Sequence, residues 1–211
     1  MAPQQERARR TRAALVSAAA AEFSDHGYAA ASLSAILRRS GATKGAMYFH
    51  FESKQELAKA VLETAADRLL EVSARLIAAP DGRVVETLYG LADEIAQLYQ
   101  EDDVLRAEFR LALESDLLAD VGLFPCRMWQ SVANDLAEQA QREGLMRPGF
   151  RPEGFARMLL ALFIGQRYLC DHESDVAGLR ENFVDSLETL LRAYADENWL
   201  DEHLESRKIM A

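Results

Sequence analysis

The stretch from Ser32 to Phe51, SLSAILRRSGATKGAMYFHF, constrains what this chain can fold into more than any other. Leu33, Ile36 and Leu37 recur at helical spacing, so they seat one short helix on a core. Gly41 falls where a chain leaving that helix needs positive φ, and Thr43 stands where a second helix needs an N-cap. Two short helices joined by a tight, glycine-containing turn form a helix-turn-helix, whose second helix enters the major groove of DNA.

After the turn, Met47, Phe49 and Phe51 alternate as apolar positions expected to anchor the segment, leaving Lys44, Tyr48 and His50 to project outward. Those three side chains can donate hydrogen bonds to phosphate. Gly45 and Ala46 are small, which lets the helix N-terminus approach base edges and brings its N–H groups toward phosphate. Ser53 with Glu56 three residues on is a capping box for a further helix. Lys54 therefore sits in a first turn, where the helix dipole disfavours a cation, and a DNA phosphate accounts for it. The expected DNA contacts are Ser32, Thr43, Lys44, Gly45, Ala46, Tyr48, His50 and Lys54, with Thr43, Lys44 and Gly45 nearest the bases.

At these residues the chain resembles the TetR family of transcriptional regulators, whose DNA-binding domains carry a T-K-G-x-x-Y-x-H-F run followed by S-K-x-x-L. Here the run reads Thr43-Lys44-Gly45-Ala46-Met47-Tyr48-Phe49-His50-Phe51, then Ser53-Lys54-Gln55-Glu56-Leu57.

The net charge of −10 argues against nucleic acid until it is divided. Residues 1–59 hold nine Lys or Arg against five Asp or Glu, a balance of +4, and the remainder holds fifteen against twenty-nine, a balance of −14. A small basic head on an acidic body suits a DNA-binding protein, because local positive charge meets the phosphates. Arg7, Arg9, Arg10 and Arg12 crowd the start of a helix running from Gln4 to about His26, where Gly27 stops it. Beside a helix-turn-helix they read as a basic arm on the DNA backbone, with Arg9 and Arg12 as contacts, in preference to a merely solvated helix end.

The 211 residues, 49% apolar and 27% charged, are ordinary for a globular protein. No window approaches the ~20 apolar residues of a membrane helix, so a cytoplasmic protein without a membrane partner is expected. Cys126 and Cys170 are far apart and outside any C-x-x-C pair, and His26, His50, His172 and His203 lack metal-ligand spacing, so neither a metal nor another cofactor is expected. His172, between Asp171 and Glu173, reads as a solvated helix end.

The expected fold is all-α: a three-helix helix-turn-helix domain over residues 1–52, then a helical ligand-binding and dimerisation domain over 53–211. A helix from Ser53 to about Ala78, ended by Pro80-Asp81-Gly82, spans roughly 40 Å and serves as a lever between them. Further helices are expected over 83–100, 103–114, 124–143, 152–171 and 179–195, with a short final one over 198–207. Tyr194 and Trp199 are expected to pack on the body.

The helices from Pro152 and Leu179 carry more apolar surface than one stripe needs. The family resemblance implies a four-helix bundle across a two-fold axis there, with Phe155, Leu159, Leu162, Phe183, Leu187 and Leu190 in a homodimer interface. Two symmetry-related recognition helices then read a pseudo-palindromic operator with half-sites about 34 Å apart. Leu88, Leu105, Phe109, Phe124, Met128, Trp129 and Phe163 can line an apolar chamber with Gln166 as a polar contact, although core packing explains each of them individually. Val104-Leu105-Arg106-Ala107, Arg110-Leu111-Ala112, Phe124-Pro125 and Trp129 resemble the γ-butyrolactone-receptor branch of the family. That resemblance implies a small lactone effector and Trp129 as the pocket tryptophan.

The function expected is a ligand-responsive repressor that a small effector releases from DNA. The alternatives are a TetR-like regulator responding to a different small molecule and an enzyme on a helical bundle, but for the enzyme the chain has no G-x-S-x-G, H-E-x-x-H, Glu-x-x-His or glycine-rich phosphate loop.

Overall fold

A computed structural model describes residues 3–78, 83–113, 124–173 and 176–200 of the chain. Its helices are α1 (Pro3–Ala30), α2 (Leu33–Ser40), α3 (Lys44–His50), α4 (Lys54–Ile77), α5 (Val84–Glu101), α6 (Asp103–Ala112), α7 (Phe124–Arg142), α8 (Pro152–Glu173) and α9 (Leu179–Tyr194). Among the described residues the extended pairing is confined to one isolated bridge, Met146 with Ala195, so the fold is all-α as expected. The Pro80-Asp81-Gly82 stop, Glu114, His203 and most of the final helix lie outside the described residues; helical turns begin at residue 197.

The chain divides by packing into two compact units. The first comprises 1–70 and 101–125, the second 71–100 and 126–211. These units are defined by packing, whereas the boundary expected at 52/53 is drawn by expected role. Packing adds α6 and most of α4 to the helix-turn-helix, and the unit boundary falls inside α4.

In the first unit, Leu15, Ala19 and Phe23 of α1 are fully buried, as their spacing of four predicts. Gly27 breaks α1 with φ 73° and ψ 175°, where a side chain would be strained. Each short helix then has its own stop and start. The Ser32 hydroxyl caps α2 by accepting from Ala35 N–H, Gly41 ends α2 in the left-handed region at φ 66°, and the Thr43 hydroxyl caps α3 by accepting from Ala46 N–H. Such caps matter because helices of seven or eight residues are too short to stand on propensity alone. At the head of α4, Ser53 Oγ accepts from Glu56 N–H, while the Glu56 carboxylate accepts from Glu52 N–H at 2.7 Å, one residue earlier than a standard capping box.

α6 packs along α1. Asp102 caps it by accepting from Val104 N–H; Arg106 Nε donates to Ser24 Oγ and Arg110 to the Asp25 carbonyl, and Arg68 of α4 pairs with Asp102. Leu105 and Phe109 are buried on its inner face.

In the second unit, α8 and α9 pack together through buried Phe155, Leu159, Phe183, Leu187 and Leu190, with Phe163 edge-on to Phe183 at 4.8 Å. The Glu143 carboxylate at the end of α7 accepts from Val84 N–H and so caps α5 from a distance in sequence. The chain after α7 is tied to the end of α9 by Arg147 N–H to Tyr194 O and Asp196 N–H to Leu145 O. Phe150 and Phe155 both meet the Tyr194 ring, which packs on the body as expected. No helix among the described residues is long and apolar enough to cross a membrane.

Candidate functional site

The candidate DNA-reading surface is built on α3. Met47 anchors it from within at 1% exposure, and Phe51 closes it: extended backbone at Phe51 turns the ring into the core while its N–H donates to Met47 O at 2.8 Å. Lys44, Gly45, Tyr48 and the capping Thr43 are exposed, and Ala46 and His50 are half-buried at the edges. The Lys44 ammonium lies 5.8 Å from the centre of the Tyr48 ring, so the two donors share one flank. A Cβ added at Gly45 would meet nothing within 4 Å, which leaves the first turn of α3 open to close approach. Arg9 and Arg12 are exposed on α1, and the Arg12 guanidinium lies over the Phe51 ring at 5.1 Å, bringing positive charge to the end of α3. Arg9 and Arg10 both pair with Glu6.

Two expectations change here. Phe49 is no anchor: it is 80% exposed, with its ring edge-on to His50 at 5.0 Å. Alternation is a strand rule, and on a helix turning about 100° per residue a position two on from Met47 points to the opposite side. Lys54 needs no phosphate to account for it. Its ammonium donates to the carbonyls of Tyr28, Ala29 and Ala31 at 2.7, 3.4 and 3.0 Å, and faces the Tyr28 ring at 4.5 Å. Those carbonyls close the end of α1 after the Gly27 break, so the lysine clamps α4 to α1.

Sequence reasoning missed the polar contacts that tie α1 to the start and end of α2. Glu22 is buried and accepts from Ser32 N–H at 3.3 Å, with His26 Nδ1 3.7 Å from its carboxylate. Asp25 pairs with Arg39 at 2.6 Å, and this hydrogen-bonded carboxylate raises the Arg39 pKa above its ordinary value. The available signal was the helical spacing of Leu15, Ala18 and Glu22, which turns Glu22 inward.

The expected chamber residues do not fall in one unit. Leu105 and Phe109 belong to the first; Leu88, Met128, Trp129, Phe163 and Gln166 belong to the second; and the Phe124 side chain lies outside the described residues. Within the second unit an apolar cavity is walled by Leu91, Trp129, Leu136, Leu159, Leu160 and Phe163. Its free volume of about 10 Å³ is no more than one water needs. Trp129 Nε1 is buried without a hydrogen-bond partner among the described residues, whereas Gln166 donates to Ser186 at 2.7 Å.

Of the expected interface residues, Phe155, Leu159, Phe183, Leu187 and Leu190 are buried within the chain itself and Leu162 is half-buried. The exposed large apolar side chains of α8 are Met158, Ile164, Tyr168 and Leu169. Among the described residues no group of three His, Cys, Asp or Glu can hold a metal ion.

Residues 15–61 match the profile described as bacterial regulatory proteins, tetR family. Over 191 residues, 90% of this chain, the sequence is 30% identical to the A-factor receptor protein of Streptomyces griseus. The structure of TylP, a TetR regulator from Streptomyces fradiae, superposes with a TM-score of 0.69 at 33% identity, covering 94% of this chain and 86% of TylP. This chain belongs to the TetR family. A γ-butyrolactone receptor described as ArpA-like superposes with a TM-score of 0.75 at 28% identity over 91% of this chain and 92% of the receptor. The match to the A-factor receptor spans 66% of that protein's length. Members of the family are regulators, and the exposed face of α3 lies inside the matched residues.

Proposed function

We propose that this TetR-family chain is a homodimeric, ligand-responsive transcriptional repressor, and not an enzyme. It acts in the cytoplasm on a pseudo-palindromic operator, and a small apolar effector of the γ-butyrolactone type releases it. Residues 1–52 carry the DNA contacts and 53–211 the effector and dimer functions.

The observation that carries this reading is α3: a helix capped at Thr43, anchored by Met47, and presenting Lys44, Gly45 and Tyr48 to solvent. Lys44, Tyr48 and His50 hold phosphates, Thr43, Lys44, Gly45 and Ala46 approach base edges, and Ser32, Arg9 and Arg12 extend the contact along the backbone. Lys54 serves the same surface indirectly, by fixing α4 to the end of α1.

Support for the effector comes from the apolar cavity beside Trp129 and from the likeness to the A-factor receptor protein and to a γ-butyrolactone receptor. The unpartnered indole N–H suits a ligand that offers one carbonyl or ether oxygen. With so little free volume, an effector binds only a conformation in which the walls have moved apart, and so it favours that conformation. A hundredfold preference corresponds to about 2.7 kcal/mol, within the usual allosteric range. The same cavity suits other small apolar molecules. The exposed α8 residues Met158, Ile164 and Tyr168 offer a second copy a dry surface, which pairs two α3 helices on one duplex.

The test is binding to a fluorescent duplex carrying the gene's upstream region against a scrambled one, over a salt series, followed by addition of a γ-butyrolactone. Sequence-dependent binding whose logarithmic salt slope reports several phosphate contacts, lost on adding lactone, is the expected result. Equal weak binding to both duplexes and to genome-selected fragments sinks the proposal.

A further inference from the structure

Phe49 is the most exposed large apolar side chain among the described residues, and its place on α3 gives it a use. Successive residues of α3 turn by about 100°, so the direction opposite buried Met47 falls between Gly45 and Phe49. These two, four apart, form the outermost ridge of the helix. Gly45 is an open notch one turn before Phe49, and α3 carries no carboxylate anywhere in Lys44–His50. Lys44 and Tyr48 flank the ridge on one side, Ala46 and His50 on the other.

Resting on the regulator reading above, we infer that Phe49 reads thymine in the major groove by packing on its C5-methyl group. A phenyl ring has neither donor nor acceptor, so it serves neither a phosphate nor a hydrogen-bonding base edge. The thymine methyl is the apolar feature a base pair presents in that groove. The flanking donors suit a polyanion on both sides of the ring, whereas a protein partner would require Lys44 and His50 to be desolvated beside it. Phe49 thus confers selectivity where the polar contacts confer mainly affinity.

The experiment uses the full chain and a duplex of about 30 base pairs that the protein itself selects from a random library, resynthesised with deoxyuridine for thymidine at one symmetric pair of positions at a time. This change removes only the methyl. Loss of one buried methyl corresponds to about fourfold in affinity per contact. The parent protein should show that loss at one or two adjacent positions. Phe49→Ala should bind more weakly to the thymidine duplex and lose nothing further on deoxyuridine substitution, while Lys44→Ala should keep the full deoxyuridine penalty. Phe49 is exposed, so Phe49→Ala should retain the parent's circular dichroism; Phe49→Leu should retain part of the penalty. A parent that shows no penalty at any thymidine, or a Phe49→Ala protein that keeps it, overturns the inference while leaving the regulator reading intact. A parent that selects no sequence at all overturns that reading and this inference with it.

Discussion

The ammonium of Lys54 donates to the carbonyl oxygen of Tyr28 across 2.7 Å. It joins the first turn of α4 to the end of α1, twenty-six residues earlier, where the final carbonyls of a helix lack an onward partner within it. A charged hydrogen bond of this kind contributes about 1.5–3 kcal/mol. Lys54→Met should therefore lower the melting temperature by several degrees in thermal unfolding. The salt slope of DNA binding should stay at the parent value. An unchanged melting temperature with a slope smaller by one would return Lys54 to the phosphates.

Lys44 and Tyr48 should behave in the opposite way. Both are exposed on α3, so alanine at either position should leave thermal stability within about 0.5 kcal/mol of the parent. Lys44→Ala should reduce the logarithmic salt slope by about one, and Tyr48→Ala should abolish operator binding. Mobility-shift titrations at three salt concentrations decide both points.

Trp129 separates effector sensing from DNA binding. Trp129→Phe removes the unpartnered N–H yet keeps an aromatic wall, so stability should be unchanged or slightly higher. Operator affinity should match the parent, while the lactone concentration that half-releases DNA should rise about tenfold, a loss of about 1.4 kcal/mol. A variant released as readily as the parent shows that the effector does not meet this indole.

Two faces of α8 make opposite predictions. Ile164→Glu places a charge on the exposed side, and sedimentation should show a folded monomer with weakened operator binding. Phe155→Ala empties a fully buried site and should cost about 3–5 kcal/mol of stability. If Ile164→Glu remains dimeric, the interface lies on another face.

Most of the secondary structure was legible because it is written locally. Spacings of three and four placed the helices, and Thr43, Ser53 and Gly41 mark ends set within one turn, by hydroxyl caps at Thr43 and Ser53 and by the left-handed φ at Gly41. The error at Phe49 is instructive for the same reason: Met47, Phe49 and Phe51 look like one set in the linear chain, and only helical rotation sends Phe49 outward. That Phe155 and Phe183 are already buried within the chain was not legible, because an apolar side chain has the same composition whether a neighbouring helix or a second subunit covers it.

The sequence alone therefore determined an all-helical chain with a capped helix-turn-helix near its N-terminus, since propensity, caps and periodicity act within one or two turns. Tertiary structure decided that Lys54 closes on Tyr28, that Glu22 holds Ser32, that α6 packs along α1, and that the cavity beside Trp129 is nearly filled. Each of these depends on which distant segment meets a given face, and helical periodicity specifies the direction of a side chain without specifying what stands opposite it.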